Sequence, residues 1–272
     1  MRIRLSLFLL TFLLFATFEA NAQMDVHKKD SIPSGRNSSA TAAMQGALLA
    51  MGGTDKVGNL GACVATGTVT NYFPDTNTGT FRWVNSGDNY RYETTIGTDS
   101  KVEVSNGGAP ASSINGAVTY WPSIFASFFA DAPYMVAARL LRHYNDTTVS
   151  ASMASDHKAL MLGAPKNTFV VRTGYPGVTD PVQQLIERDW EINSSNGMPA
   201  VLHISAPGYP VASVKRVIDY VYSSYSSVNG VMIPLVIEMR EFGVKRRVYS
   251  ITSVRCRVTV DASQFAVAGG AQ

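Results

Sequence analysis

At 272 residues, with 46% hydrophobic side chains, the chain is long enough for one large domain or two small ones. Its 23 basic and 20 acidic residues give a formal net charge of +3 with no concentrated basic footprint, which argues against nucleic acid as a partner.

The amino terminus reads MRIRLSLFLLTFLLFATFEANAQ. Arg2 and Arg4 precede an apolar run from Leu5 to Phe18, and Ala20 and Ala22 supply the small residues of a signal-peptidase site, so cleavage is expected before Gln23. The run is shorter than the roughly 20 residues a membrane-crossing helix needs. No cysteine lies at the cleavage point to carry a lipid anchor. The expected product is an exported, soluble chain without a transmembrane segment. Residues 23–37 are polar and aperiodic and read as a disordered leader. A short helix follows, capped by Ser38 or Ser39, with a stripe of Ala43, Ala47, Leu48 and Met51 that ends at Gly52-Gly53.

From Cys63 the period changes to two, and strands are predicted near 62–73, 79–85, 88–97 and 100–106. Phe81, Trp83, Tyr90 and Tyr92 fall on one face of this meander, with Arg82 and Arg91 on the other. Residues 122–146 then take helical spacing. Ile124, Phe125, Phe128 and Phe129 form an apolar shoulder, Asp131 caps, and Pro133 sits in the first turn. Val136, Ala137, Leu140, Leu141 and Tyr144 share one face, opposite Arg139, Arg142 and His143. A further helical turn is read at Pro181–Glu187. Strands resume near 157–163, 166–173, 188–193, 199–206, 214–225, 231–242, 245–251 and 253–260. Hairpin turns fall at Asn193–Gly197 and Asn229-Gly230. Lys245-Arg246-Arg247 alternates across a strand and reads as a solvated edge rather than a binding patch. Cys63 and Cys256 lie in the first and last strands; they are either a disulfide in an oxidising compartment or two separate buried thiols.

The fold class expected is mainly β with α: a strongly curved antiparallel sheet or incomplete barrel with helices on its concave face. Pro234 fits such a sheet where a ladder position is unpaired or bulged. The expected organisation is a signal peptide at 1–22, a leader at 23–37, one domain at 38–266 and a flexible tail at 267–272.

Three motifs carry a family resemblance. Asn193, Gly197 and Pro199 match a D/N-x-x-x-G-x-P hairpin. Asn229, Gly230 and Pro234 match an N-G-x-x-x-P strand pair, and Ile251, Val254 and Phe265 match the closing segment. With the helix ending Ala50-Met51-Gly52-Gly53, the chain resembles the periplasmic lipoprotein-carrier superfamily, the LolA-like and LppX-like proteins. The resemblance covers the layout of 40–265, though the Phe-rich insertion at 122–146 is longer than in the short carriers. It implies a half-barrel whose concave apolar chamber takes lipids or lipoprotein acyl chains, in the periplasm of a Gram-negative bacterium, in outer-membrane biogenesis. The chamber candidates are Phe81, Trp83, Tyr90, Tyr92, Phe125, Phe128, Phe129, Tyr134, Leu140 and Leu141. In the family an arginine near the early strands holds the lid helices closed, which makes Arg82 and Arg91 the latch candidates.

No catalytic constellation is legible. His27, His143, His157 and His203 form no metal-ligand spacing, and neither a G-x-S-x-G elbow nor a cysteine–histidine signature occurs. His203 opposite Asp189 and Glu191 reads as a cross-strand polar pair. The reading is a non-enzymatic binder of lipid or acylated protein, with no cofactor or metal and an envelope protein as a further partner. The alternative is an envelope sensor or protein-interaction module on the same fold, and a hydrolase-like enzyme comes third.

Overall fold

Asn37 opens the first helix: its side-chain oxygen accepts from Ser39 N–H (2.8 Å) and Ala40 N–H (3.2 Å), so the cap falls one residue before the serines expected. The structure, a computed structural model, describes residues 35–122, 132–154, 167–176, 187–207 and 215–267. The signal peptide, most of the leader, Phe125, Phe128, Phe129, Asp131, His157, the strand at 157–163 and nearly all of Pro181–Glu187 lie outside the described residues.

Helices α1 (Ser38–Ala50), α2 (Thr54–Gly58) and α3 (Val136–Asn145, preceded by a 3-10 turn at Pro133–Met135) accompany thirteen described strands. The strands are β1 (Cys63–Asn71), β2 (Asn77–Ser86), β3 (Asn89–Ile96), β4 (Asp99–Asn106), β5 (Ala109–Ile114), β6 (Ala117–Tyr120), β7 (Ser150–Met153), β8 (Thr168–Gly174), β9 (Arg188–Asn193), β10 (Pro199–Pro207), β11 (Lys215–Val228), β12 (Val231–Glu241) and β13 (Val244–Cys256). They form one antiparallel sheet in the order β6-β5-β4-β3-β2-β1-β13-β12-β11-β10-β9-β8-β7. The sheet does not close on itself. It is two consecutive meanders joined at the middle by the first and last strands, which pair from Cys63↔Cys256 to Asn71↔Arg247.

Several expectations are corrected by this topology. β5, β6 and β7 are strands where the sequence reading assigns no element, because their short Ser- and Ala-rich stretches carry little β-branched or aromatic signal. The two strands read at 245–251 and 253–260 are one, β13. Thr66 pairs Ser253 and Gly67 pairs Ile251, so Thr252 is the extra residue of a bulge. Lys245-Arg246-Arg247 is no sheet edge, since β13 lies between β1 and β12. Gly67 is required at the bulge: a Cβ there would lie 2.0 Å from the Ser250 carbonyl oxygen and 2.9 Å from the Phe81 ring.

Pro234 has a local explanation. β12 pairs with β13 only from Val236 to Glu241, so Pro234 belongs to a segment bonded to β11 alone, where a missing N–H costs no ladder bond on the β13 side. The same open segment is finished by α1, whose Met51 carbonyl accepts from Met232 N–H at 2.9 Å. Gly52 follows at φ +122°, and a Cβ there would lie 2.3 Å from the Gly230 carbonyl oxygen. The Gly-Gly after α1 and the Asn229-Gly230 turn are therefore one docking contact.

The core lies on the concave face. It stacks Ala40, Met44, Ala47, Leu48 and Met51 of α1, and Val136, Ala137 and Leu140 of α3, on Trp83, Trp190, Ile192, Leu202, Ile218 and Ile237 of the sheet. Each fully buried side chain of this size stabilises the fold by about 1.5–3 kcal/mol. Among the described residues no helix is long and apolar enough to cross a membrane.

Candidate functional site

Alternation along β2 and β3 carries Phe81, Trp83, Tyr90 and Tyr92 onto the concave face, all buried. Tyr249 of β13, which sequence reasoning did not single out, joins them through the β1–β13 pairing. Trp83 lies 4.4 Å from Phe81, 4.6 Å from Tyr249 and 5.5 Å from Tyr92, centroid to centroid. Tyr134, in the 3-10 turn before α3, stacks on Trp83 at 5.4 Å and donates its hydroxyl to the Cys63 carbonyl at 3.3 Å. Burial pushes the Tyr90, Tyr92 and Tyr134 phenols well above their usual range, so all three are neutral donors. Tyr92 and Tyr249 share a hydroxyl contact of 3.2 Å, and Arg247 reaches Tyr249 at 3.1 Å. Five of these rings pack on one another and Tyr90 is buried in the same cluster; beside β1, β2 and β13 the concave face is occupied by its own side chains.

Space opens at the end of this cluster. A groove of about 390 Å³ runs between α2, α3 and the β2–β3 turn, lined by Val57, Leu60, Asn85, Met135, Ala138 and Leu141 among others. Leu140 faces the core beside it, fully buried, and Leu141 forms part of the wall. The rim carries Arg142, paired with Asp88 at 2.9 Å. Asn85 is 7% exposed, and its side-chain oxygen has no hydrogen-bond partner among the described residues. A buried amide oxygen in that state costs about 1–3 kcal/mol until a donor reaches it. The groove thus combines an apolar wall with the Arg142–Asp88 pair at its rim. No signal in the sequence marks it, because its walls come from three segments far apart in the chain.

Arg139 was expected on the outer side of its helix, yet it is 5% exposed and turned inward. Burial and then the neighbouring Arg188 charge pull its pKa down to about 9. Beside it, Thr173 Oγ1 lies 3.0 Å from His143 Nδ1 and accepts from Trp190 Nε1 at 2.9 Å.

Arg82 and Arg91 point to the convex face. Both bind Glu93, at 3.1 Å and 2.6 Å, and both hold the carboxy-terminal 3-10 turn (Ala262–Phe265). Arg82 donates to the Gln264 side chain, and Arg91 to the carbonyls of Gln264 and Ala266. They clasp the chain end rather than the helices, because odd and even positions of a strand cannot share a face.

A second convex network crosses β8 to β11. Arg172 forms a two-pronged bond to Asp189, both contacts at 2.8 Å. His203 bonds Asp219 at 2.7 Å and lies 3.9 Å from Glu191. Burial works against the imidazolium, but the two carboxylates outweigh it and raise the His203 pKa to about 9. Cys63 and Cys256 are joined as a disulfide across the β1–β13 pair. Among the described residues no group of histidines, cysteines and carboxylates is arranged to hold a metal ion.

No family profile matches the sequence, and neither does any curated protein. Solved structures do match in fold. A LolA superfamily protein from Nitrosomonas europaea superposes with a TM-score of 0.50 at 11% identity, over 84% of this chain and 97% of that one. A putative outer membrane lipoprotein-sorting protein domain from Vibrio parahaemolyticus gives 0.49 at 11% identity, over 83% and 97%. A DUF1329 family protein from Desulfovibrio piger gives 0.48 at 9% identity, over 84% and 97%. The open curved sheet with helices on its concave face is the LolA-like fold. At these identities the likeness is one of fold.

Proposed function

We propose that the protein is an exported, periplasmic binder or carrier of hydrophobic ligands, lipids or the acyl chains of lipoproteins, and not an enzyme. The observation that carries this reading is the groove of about 390 Å³ between α2, α3 and the β2–β3 turn, which is within the usual size range of ligand sites. Its wall suits an acyl chain, and the Arg142–Asp88 pair at the rim suits a polar headgroup. At roughly 0.8 kcal/mol per buried methylene, eight methylenes supply about 6 kcal/mol before ordering costs, enough for a carrier that must also release. The fold is shared with the N. europaea LolA superfamily protein. The amino-terminal leader sequence supports export.

The test is binding of a fluorescent fatty acid, displaced by a palmitoylated peptide, to the wild-type protein and to Ala138→Trp, which fills the groove. At least a tenfold loss of affinity in the variant, with the unfolding temperature little changed, is expected. Equal affinity in both proteins, or no binding of either probe to the wild type, overturns the reading. Native mass spectrometry of protein purified from its own envelope provides the matching check for a resident lipid.

A further inference from the structure

The two ends of the sheet carry different chemistry. At the end beside the groove, the turns are Ser86-Gly87-Asp88, Asn106-Gly107-Gly108, Asn193–Gly197 and Asn229-Gly230, all small or polar. At the opposite end, the β1–β2 loop presents Tyr72 and Phe73, exposed at 41% and 65%, and the β12–β13 turn presents Phe242 and Val244 at 49% and 55%. These four are half of the eight large apolar side chains exposed among the described residues. They form one patch, because β1 and β13 are neighbours: Tyr72 N–H donates to the Arg246 carbonyl at 2.9 Å. The Arg246 guanidinium lies 4.4 Å over the Phe73 ring, and the Lys245 ammonium 5.3 Å from the Tyr72 ring.

The turn itself is built at a cost. Phe242 and Gly243 have φ of +50° and +75°, the same left-handed pair as Asn229 and Gly230 at +51° and +79°. Asparagine is the low-cost residue at the first of these positions, and a bulky aromatic is not. Here an aromatic takes the strained position with its ring half in water. That combination points to a surface for the ring outside the chain.

The charge around the patch selects the surface. Among the described side chains, residues 71–77 and 238–247 bring four basic ones (Arg240, Lys245, Arg246, Arg247) and three acidic ones (Asp75, Glu238, Glu241) to this rim. Glu238 is shared between Arg240 and Lys245 (2.5 and 3.0 Å), and Glu241 lies 3.6 Å from Arg246. The balance is positive by one, and Lys245 and Arg246 stand directly behind the apolar tips, against the Tyr72 and Phe73 rings. Two projecting hairpin tips offer no flat face of the roughly 800 Å² per partner that a stable protein interface buries. They do suit a soft surface that rings enter by a few ångströms while cations meet phosphates at the headgroup level.

We propose that this rim is a membrane-contact site: Tyr72, Phe73, Phe242 and Val244 enter the interface of an anionic bilayer, and Lys245 and Arg246 bind its phosphates. The site lies at the end of the sheet opposite the groove and does not rest on the ligand reading above.

The experiment is co-sedimentation of the purified protein with phosphatidylethanolamine vesicles, with and without phosphatidylglycerol. All variants are purified identically, so that any leader is common to them. Wild type is expected to sediment with the phosphatidylglycerol vesicles in a salt-sensitive way. Phe242→Asn combined with Phe73→Ser is expected to lower partitioning at least about tenfold. Its fold is not weakened, because asparagine relieves the turn; an unfolding temperature equal to or above wild type verifies that. Lys245→Gln and Arg246→Gln each cost about fivefold and flatten the salt dependence. Ala138→Trp leaves vesicle partitioning unchanged while Phe242→Asn leaves fatty-acid binding unchanged, so the two sites fail or hold separately. Absence of wild-type binding, or partitioning that survives the Phe73/Phe242 change, overturns the proposal.

Discussion

His203 gives a quantitative test of the convex charge network. Its folded pKa is about 9 against an ordinary 6.5, with Asp219 at 2.7 Å and Glu191 at 3.9 Å, and the ring is 9% exposed. A raised folded pKa means that the folded state holds the proton more tightly than the unfolded one. The stabilisation is therefore fully present below pH 6.5 and is lost as pH rises through 9. At 1.36 kcal/mol per pKa unit the whole effect is about 3 kcal/mol, of which about 2 kcal/mol disappears between pH 7 and pH 9.5. The assay is urea unfolding at several pH values in that window, for wild type and His203→Gln. Taking the difference between the two proteins cancels every other group that titrates. The difference in stability is expected to shrink by about 2 kcal/mol over the window, and the ring resonances of His203 are expected to titrate near pH 9. Parallel curves, or a ring that titrates near 6.5, would refute the assignment of its charge to Asp219 and Glu191.

Four further outcomes follow from the packing. The Cys63–Cys256 bond closes a loop of 193 residues in sequence separation, and a loop of that length corresponds to about 5 kcal/mol of chain entropy; denaturant unfolding with and without reductant should differ by most of that amount. Gly67→Ala drives a Cβ to 2.0 Å from the Ser250 carbonyl oxygen and should cost at least about 2 kcal/mol in thermal unfolding. Gly46→Ala, on an exposed helical site with nothing within 4 Å, should instead raise stability by about 0.5–1 kcal/mol by the same measurement. Asn37→Ala removes the α1 cap and should cost about 1 kcal/mol, read in the same scan.

The parts of the fold that could be read from the chain were those whose determinants are local. Asn229-Gly230 and Asn193–Gly197 announce their hairpins through turn chemistry, and Phe81, Trp83, Tyr90 and Tyr92 announce a shared face through period-two spacing. What escaped depended on partners distant in sequence. Tyr249 belongs with that aromatic face only because β13 returns beside β1. The His203–Asp219 bond needs the β10–β11 register, and Asp189 and Glu191, which were the expected partners, sit on the other neighbouring strand. Arg139 reads as an outer residue on a helical wheel, yet tertiary packing buries it. The groove had no motif at all, since Asn85, Val57 and Ala138 meet solely through packing.

The middle of this sheet is made by the two extremes of the domain, and that arrangement constrains how the chain folds. Within each meander, strands find their neighbours across short turns, and those pairings form quickly. The β1–β13 pairing spans nearly the whole domain and must wait until the last strand exists, so its loop-closure entropy is met only when both halves are in hand. Before that step, β1 and β13 are each a bare edge, open to the wrong strand of another molecule. A circular permutant whose new ends fall between β6 and β7, with a linker joining the old ones, would shorten the connection across that slow central seam to a segment holding only the 3-10 turn, α1 and α2. Its refolding should be faster than that of the natural chain at similar final stability.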